Sequence, residues 1–294
     1  MIASLVSPSL AAYLLATPGI RLGRAIARKI GRRLGGVLIV AACLAPLATC
    51  SLPTPAHAGP IAWGSAQNVS GVSDVDTSGT LLYAYRFGNS LTGTTTVNGV
   101  SFEPFNVTNE TSTATVGSVT LTAVSQPGYG AVMYSGDSAT SGSNPFAALP
   151  ASYQSLLSGV VQTVAFDNDP GQPLSIQLGG LAAGTEYLVQ WWSSVTDTYV
   201  LSQTVALGSP NVTLDSNTTN VAGGLGQYAT GTFTASGSTF TFTLEGLQMY
   251  APSYDVPTIN ALQVRAVPEP STYAMALAGL ACGGYLVRRR RKRA

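Results

Sequence analysis

The segment from Gly59 to Ala266 contains no cysteine, no histidine and no lysine, because Cys43, Cys50 and His57 precede it and Cys282 follows it. Within that segment these absences exclude a disulfide framework, a thiolate zinc site, a cysteine nucleophile and a Ser-His-Asp triad. Basic charge is nearly as scarce: Arg86 and Arg265 stand alone against twelve acids, for a net charge of −10. Neutralising nucleic-acid phosphates needs clustered Lys or Arg, so nucleic acid is excluded as a partner. Charged residues make up only 9% of the whole chain, and Gly accounts for 32 of its 294 residues beside abundant Ser and Thr. The surface must therefore be built mainly of hydroxyl and amide groups.

What is present is sorted by position. The whole-chain charge of +1 averages an acidic middle over two basic ends. Arg21, Arg24, Arg28, Lys29, Arg32 and Arg33 precede the charge-free run 34–48, and Ala56-His57-Ala58 follows it. This order is that of a secretory signal, with small residues Ala56 and Ala58 before a cleavage that makes Gly59 the mature N-terminus. The leader is long. Its Arg21, Arg24, Arg28 and Arg32 lie at helical spacing, so an amphipathic helix on the inner leaflet competes with an extended basic region or an overcalled start codon. A lipobox reading at Cys43 is a further alternative.

At the other end Val267-Pro268-Glu269-Pro270 leads into the apolar run 273–287 and then Arg288 to Arg291, Lys292 and Arg293. At about 1.5 Å per residue that run spans about 22 Å, short of a hydrocarbon core of about 30 Å, a gap that snorkelling arginines and local thinning can close. The basic clusters put both ends in the cytoplasm and the acidic middle outside. This tripartite end resembles the PEP-CTERM sorting signal. The resemblance implies recognition of Pro268, Glu269 and Pro270 by an exosortase, a membrane transpeptidase that removes the tail. The protein would then pass to the cell surface or exopolysaccharide matrix of a Gram-negative bacterium. An ordinary membrane anchor is the competing reading, sharing the topology without explaining Pro-Glu-Pro.

The middle, residues 59–266, reads as one all-β domain. Alternating runs rich in β-branched and aromatic residues recur between Gly, Asn, Asp and Ser breakers. Expected strands cover 80–87, 94–97, 100–105, 115–124, 131–134, 174–178, 186–193, 199–207, 228–235, 239–244 and 259–265. Asn98-Gly99 suits a type I′ hairpin turn. Tyr153, Leu156, Leu157 and Val160 fall at helical spacing after Pro150, which predicts one short helix over 151–160. So many strands in a domain of this size point to a two-sheet, jelly-roll-like β-sandwich. The stretches SDVDTSGTLLYAYRFGN, TVNGVSF, GLAAGTEYLVQWWS, GQYATGTFTASGSTFTFTL and INALQVR resemble a galactose-binding-like β-sandwich family.

Carboxylates remain as possible chemistry. Glu103, Glu110, Glu186 and Glu245 are candidates for a glycoside-hydrolase pair, though none sits in a recognisable motif. Asp74, Asp76, Ser78 and Gly79 open like a calcium loop, but Tyr85 occupies the twelfth position, so an EF-hand is excluded. Asp167 and Asp169 cluster similarly. Structural calcium at these four aspartates competes with a simple turn reading, and no other cofactor is indicated. Trp191 and Trp192 should face opposite sides of a strand, with Tyr187, Val189 and Trp191 toward the core. Trp192 beside Gln190 is then a candidate sugar-stacking platform, unless both tryptophans are buried. Thr113/Thr115, Thr120/Thr122, Thr232/Thr234 and Thr241/Thr243 suggest an ice-binding ladder but lack a fixed repeat period. Asn68, Asn106, Asn109, Asn211 and Asn217 open glycosylation triplets.

The reading is a non-enzymatic exported protein with an adhesive or structural role, processed by signal peptidase and exosortase and held transiently by a C-terminal membrane helix. A carbohydrate-binding module recognising envelope glycans is the alternative, with a carboxylate hydrolase and an ice-binding protein behind it.

Overall fold

A computed structural model describes residues 59–125, 130–137, 142–163, 172–196, 203–247, 256–268 and 279. The expected signal peptide, the cleavage residues Ala56 and Ala58 and the expected membrane helix over 273–287, Gly279 apart, lie outside this set. So do Asp167, Asp169, Glu269 and Pro270. The chain divides into a unit Met1–Thr54, outside the described residues, and a unit Pro55–Ala294 that holds the fold.

In chain order the strands are β1 (Ala62–Trp63), β2 (Gln67–Asn68), β3 (Thr80–Gly88), β4 (Thr95–Val97), β5 (Val100–Asn106), β6 (Thr113–Val116), β7 (Val119–Ala123) and β8 (Met133–Asp137). The helix α1 (Ala151–Leu157) precedes β9 (Gly159–Thr163), β10 (Leu174–Gly179), β11 (Glu186–Ser193), β12 (Gln203–Ala206) and β13 (Val212–Asp215). Then come β14 (Gln227–Thr234), β15 (Thr239–Leu247), β16 (Thr258–Ile259) and β17 (Ala261–Ala266). One sheet of eight strands runs β1-β14-β11-β17-β3-β5-β4 with β2 also on β14, and a second of six runs β13-β12-β15-β10-β7-β6. The all-β sandwich expectation holds, with two departures. A third sheet, β16-β9-β8, stands beside the two large ones, and β3 pairs with β5 in parallel within an otherwise antiparallel arrangement.

Alternation explains the sandwich. On β11, Tyr187, Val189 and Trp191 point inward and meet Leu121, Ile176, Phe242 and Leu244 of the six-stranded sheet in one continuous apolar core. Trp63 packs edge-on against both Trp191 and Phe242, with ring centroids 6.4 Å and 5.8 Å away. Burying such aromatics removes about 150–250 Å² of surface each and dominates the driving force. The Asn98-Gly99 turn joins β4 to β5 with φ of 50° and 76°, as a type I′ turn requires.

The local differences from expectation have physical causes. The run 115–124 reads as one strand, yet the chain turns at Gly117, whose φ is 56°, and forms the β6–β7 hairpin. The helix ends at Leu157 instead of Val160; from Gly159 the chain runs as β9 against β8, and it lies so close to β3 there that a Cβ would collide with the Phe87 carbonyl. Between β16 and β17 the fully buried Asn260 interrupts the strand to clamp three segments. Its Nδ2 donates to the carbonyls of Leu157 (3.2 Å), Gly159 (2.8 Å) and Ser194 (2.8 Å), while its Oδ1 accepts from the Ser194 N–H at 2.6 Å.

Candidate functional site

The other face of the eight-stranded sheet carries the polar chemistry. Register places Gln190 of β11 between Thr230 of β14 and Gln263 of β17, and Trp192 between Tyr228 and Ala261. Half of this face is roofed by α1 and the turn Phe146–Ala148. Phe102, Phe146, Tyr153, Leu156, Leu157 and Trp192 form a second apolar cluster there. Trp192 is therefore 0% exposed, and the proposed sugar-stacking platform on it is corrected. Its ring packs edge-on against Phe102, and its Nε1 donates to the Tyr153 hydroxyl at 3.1 Å.

Beyond the helix, the segment from Ser70 to Gly79 crosses the same face and is held by side chains of the sheet. Gln190 Nε2 donates to the Asp74 carbonyl at 2.7 Å, and its Oε1 accepts from the Asp76 N–H at 3.0 Å and from Gln263 Nε2 at 2.6 Å. Gln263 also donates to the Asp76 carbonyl at 3.0 Å. Arg265 donates to the carbonyls of Ser78 (2.5 Å), Thr77 (3.0 Å) and Gly79 (3.1 Å). Gln190, read from sequence as a sugar contact, is 1% exposed and serves to fix the segment.

The Asp74 carboxylate is saturated from within. It accepts from the Ser70 N–H at 2.7 Å, Ser70 Oγ at 2.5 Å, the Gly71 N–H at 3.0 Å and the Tyr153 hydroxyl at 2.9 Å. These contacts support the turn reading for Asp74, whose oxygens both accept from protein donors. Asp76 follows the turn reading, its Oδ1 accepting from the Ser78 N–H at 2.7 Å and Ser78 Oγ at 2.6 Å. Burial, and next the nearby Asp74 charge, hold the Tyr153 phenol well above its ordinary pKa, so it stays a neutral donor.

Between this segment, the β4–β5 turn and β14 lies a cleft of about 370 Å³ lined by Asp74, Asp76, Thr77, Asn98, Tyr228 and Thr230 among others, with Gln190 in its floor. The volume lies in the range of about 300–1,000 Å³ usual for small-ligand sites. Its aromatic is Tyr228, the cross-strand neighbour of Trp192, whose ring centroid is 6.1 Å away at 31°. Asn98 donates from its amide nitrogen to the Val75 carbonyl at 2.9 Å, which leaves its side-chain oxygen available. The combination of an aromatic ring, amide, hydroxyls and carboxylate suits a polar ring ligand. The sequence hint for Tyr228 was its place at an alternating position of an expected strand. Nothing in the chain shows that the segment around Asp76 lies beside it.

The remaining candidates do not converge. Neither described cleft is lined by Glu103, Glu110, Glu186 or Glu245; the second, about 460 Å³ along α1, is lined by Phe146, Ala151, Gln154 and Ser155 among others. Glu110 instead accepts from the Tyr134 hydroxyl at 3.0 Å. Both arginines are buried, and Arg86 donates to the carbonyls of Thr92 (2.8 Å) and Gly93 (3.0 Å). Positive charge is thus used inside the domain. The Thr pairs of β6, β7 and β15 do align across strands, through Thr113-Thr122-Ser175-Thr243 and Thr115-Thr120-Gln177-Thr241, although no sequence period announces it. Asn217, 4% exposed, bonds the Thr219 and Asn220 N–H groups and is no free glycosylation acceptor.

The C-terminal end of the domain is built on β17, which lies between β11 and β3. The pairing continues one residue further, with the Val267 N–H donating to the Glu186 carbonyl at 2.9 Å. Pro268 follows, exposed. Residues 266–292 match the family described as the PEP-CTERM protein-sorting motif. That motif marks an exported protein with a C-terminal sorting signal that an exosortase processes. No curated protein and no solved structure matches the chain.

Proposed function

We propose that the chain is a non-enzymatic protein delivered by exosortase sorting to the cell surface or exopolysaccharide matrix, where its acidic β-sandwich has an adhesive or structural role. The observation that supports this is the junction itself. The sorting motif begins where the centrally placed β17 ends, so removal of everything beyond Val267 leaves every strand among the described residues intact. The working product is then the domain alone, without either basic end. In cells, a Pro268→Ala/Glu269→Ala/Pro270→Ala variant is expected to persist as the full-length membrane form. Normal trimming and release of that variant would contradict exosortase sorting.

A second reading, a carbohydrate-binding module, is favoured by the cleft at Tyr228. The full-length protein on a polysaccharide array should show saturable retention that Tyr228→Ala abolishes. Turnover of a glycan, lost on substitution of one glutamate, would overturn the non-enzymatic reading instead.

A further inference from the structure

We infer that the Tyr228 cleft selects amino sugars, the free-amine hexosamine units of a partly deacetylated glycan, with the ammonium on Asp76 and the sugar ring against Tyr228. The inference rests on the carbohydrate-binding reading and specifies its ligand.

Charge comes first. Asp74 and Asp76 both line the cleft. Arg265 lies close enough for the Asp76 charge to act on it, but it stands behind the segment, 6% exposed and donating to three backbone carbonyls. That one cation faces two carboxylates, so the cleft keeps a net negative charge. A uronic acid or sulfated sugar meets repulsion there, whereas an ammonium is attracted.

Geometry gives the contact point. Asp74 has both oxygens occupied by Ser70, Gly71 and Tyr153. Asp76 has one oxygen fixed by Ser78, and the other has no partner among the described residues. The carboxylate is therefore oriented before a ligand arrives, which lowers the entropy cost of engaging it. Tyr228 is held from behind by Trp192, itself fixed by Tyr153, so the ring is a rigid wall. Its phenol is raised above the ordinary value by burial and by Asp74 and Asp76, and the neutral hydroxyl remains a donor. Thr230 and the Asn98 side-chain oxygen supply uncharged partners for sugar hydroxyls.

The test is calorimetric titration of the full-length protein in detergent with a glucosamine tetramer, an N-acetylglucosamine tetramer, a galacturonate tetramer and a linear polyamine. The glucosamine tetramer should bind at least about tenfold tighter than its acetylated form, with no binding of the galacturonate. Asp76→Asn, which keeps an oxygen for Ser78, should erase that ratio at unchanged melting temperature, and Tyr228→Ala should abolish both sugars. If the acetylated or acidic tetramer binds equally well and Asp76→Asn changes nothing, the amine preference is wrong while sugar binding stands. Failure of all three sugars overturns the carbohydrate reading and the inference together. A polyamine that binds as tightly as the glucosamine tetramer, indifferent to Tyr228→Ala, would mean diffuse attraction to an acidic domain and overturn the site.

Discussion

Trp191 and Trp192 are adjacent in sequence, both 0% exposed, and lie on opposite faces of the same sheet under different physics. Trp191 belongs to the inter-sheet core, and its Nε1 has no hydrogen-bond partner among the described residues. It is held by area and shape alone. Trp192 heads a directional chain in which its Nε1 donates to Tyr153 and Tyr153 donates to Asp74. Asp74 in turn orders the turn beside the cleft. The inner face thus stabilises the fold chiefly by apolar packing, with isolated hydrogen bonds such as Trp63 Nε1 to the Leu207 carbonyl, while the outer face uses a chain of hydrogen bonds to place a loop. The proposed ligand site lies on the second, where hydrogen bonds from Ser78 aim the Asp76 carboxylate.

The largest expected effect is on the first face: Trp191→Ala should cost about 3–5 kcal/mol, read as a lowered denaturant midpoint. Asn260→Ala comes next. It strips three carbonyls and one N–H of a buried partner and should cost about 3 kcal/mol. A double-mutant cycle then separates the faces. Tyr153→Phe with Trp192→Phe should show a coupling of about 0.5–2 kcal/mol, and Tyr153→Phe with Trp191→Phe should be additive. Equal coupling in both cycles would erase the distinction between the faces.

Alkaline titration sharpens it further. Tyr153 and Tyr83 have folded-state pKa values above the ordinary 10.0, chiefly through burial. The folded state therefore binds protons that the unfolded state releases once the pH passes 10, and the stability these two tyrosines contribute, constant below that point, should fall above it. Tyr153→Phe should shallow the fall. A loss of stability beginning well below pH 9 would assign it to other groups.

Much of the inner face was legible because its signals are local. The strand Glu186–Ser193 and its Tyr187, Val189 and Trp191 core side follow from alternation alone, and Asn98-Gly99 announces its own turn. The outer face was legible only in pieces. The sequence carries a helix signal at Tyr153, Leu156 and Leu157, but nothing local says that those residues roof Trp192, so a platform and a buried ring stayed in competition there. At Asp74 and Asp76 spacing alone left calcium in competition with a turn; it does not show that Ser70, Gly71 and Tyr153 already engage Asp74. The place of Tyr228 in the cleft wall depends on its pairing with Trp192 across strands, a relation set by tertiary register.

The smallest stability effect tests the central claim most directly. Tyr228→Ala, on a half-buried cleft residue whose ring lies against Trp192, should cost about 1–2 kcal/mol. Melting temperature and glycan retention of that single variant, measured side by side, should show an unchanged fold and lost retention. A melting temperature lowered as far as in Trp191→Ala, or full retention by the folded variant, would contradict the assignment of the outer face to ligand binding.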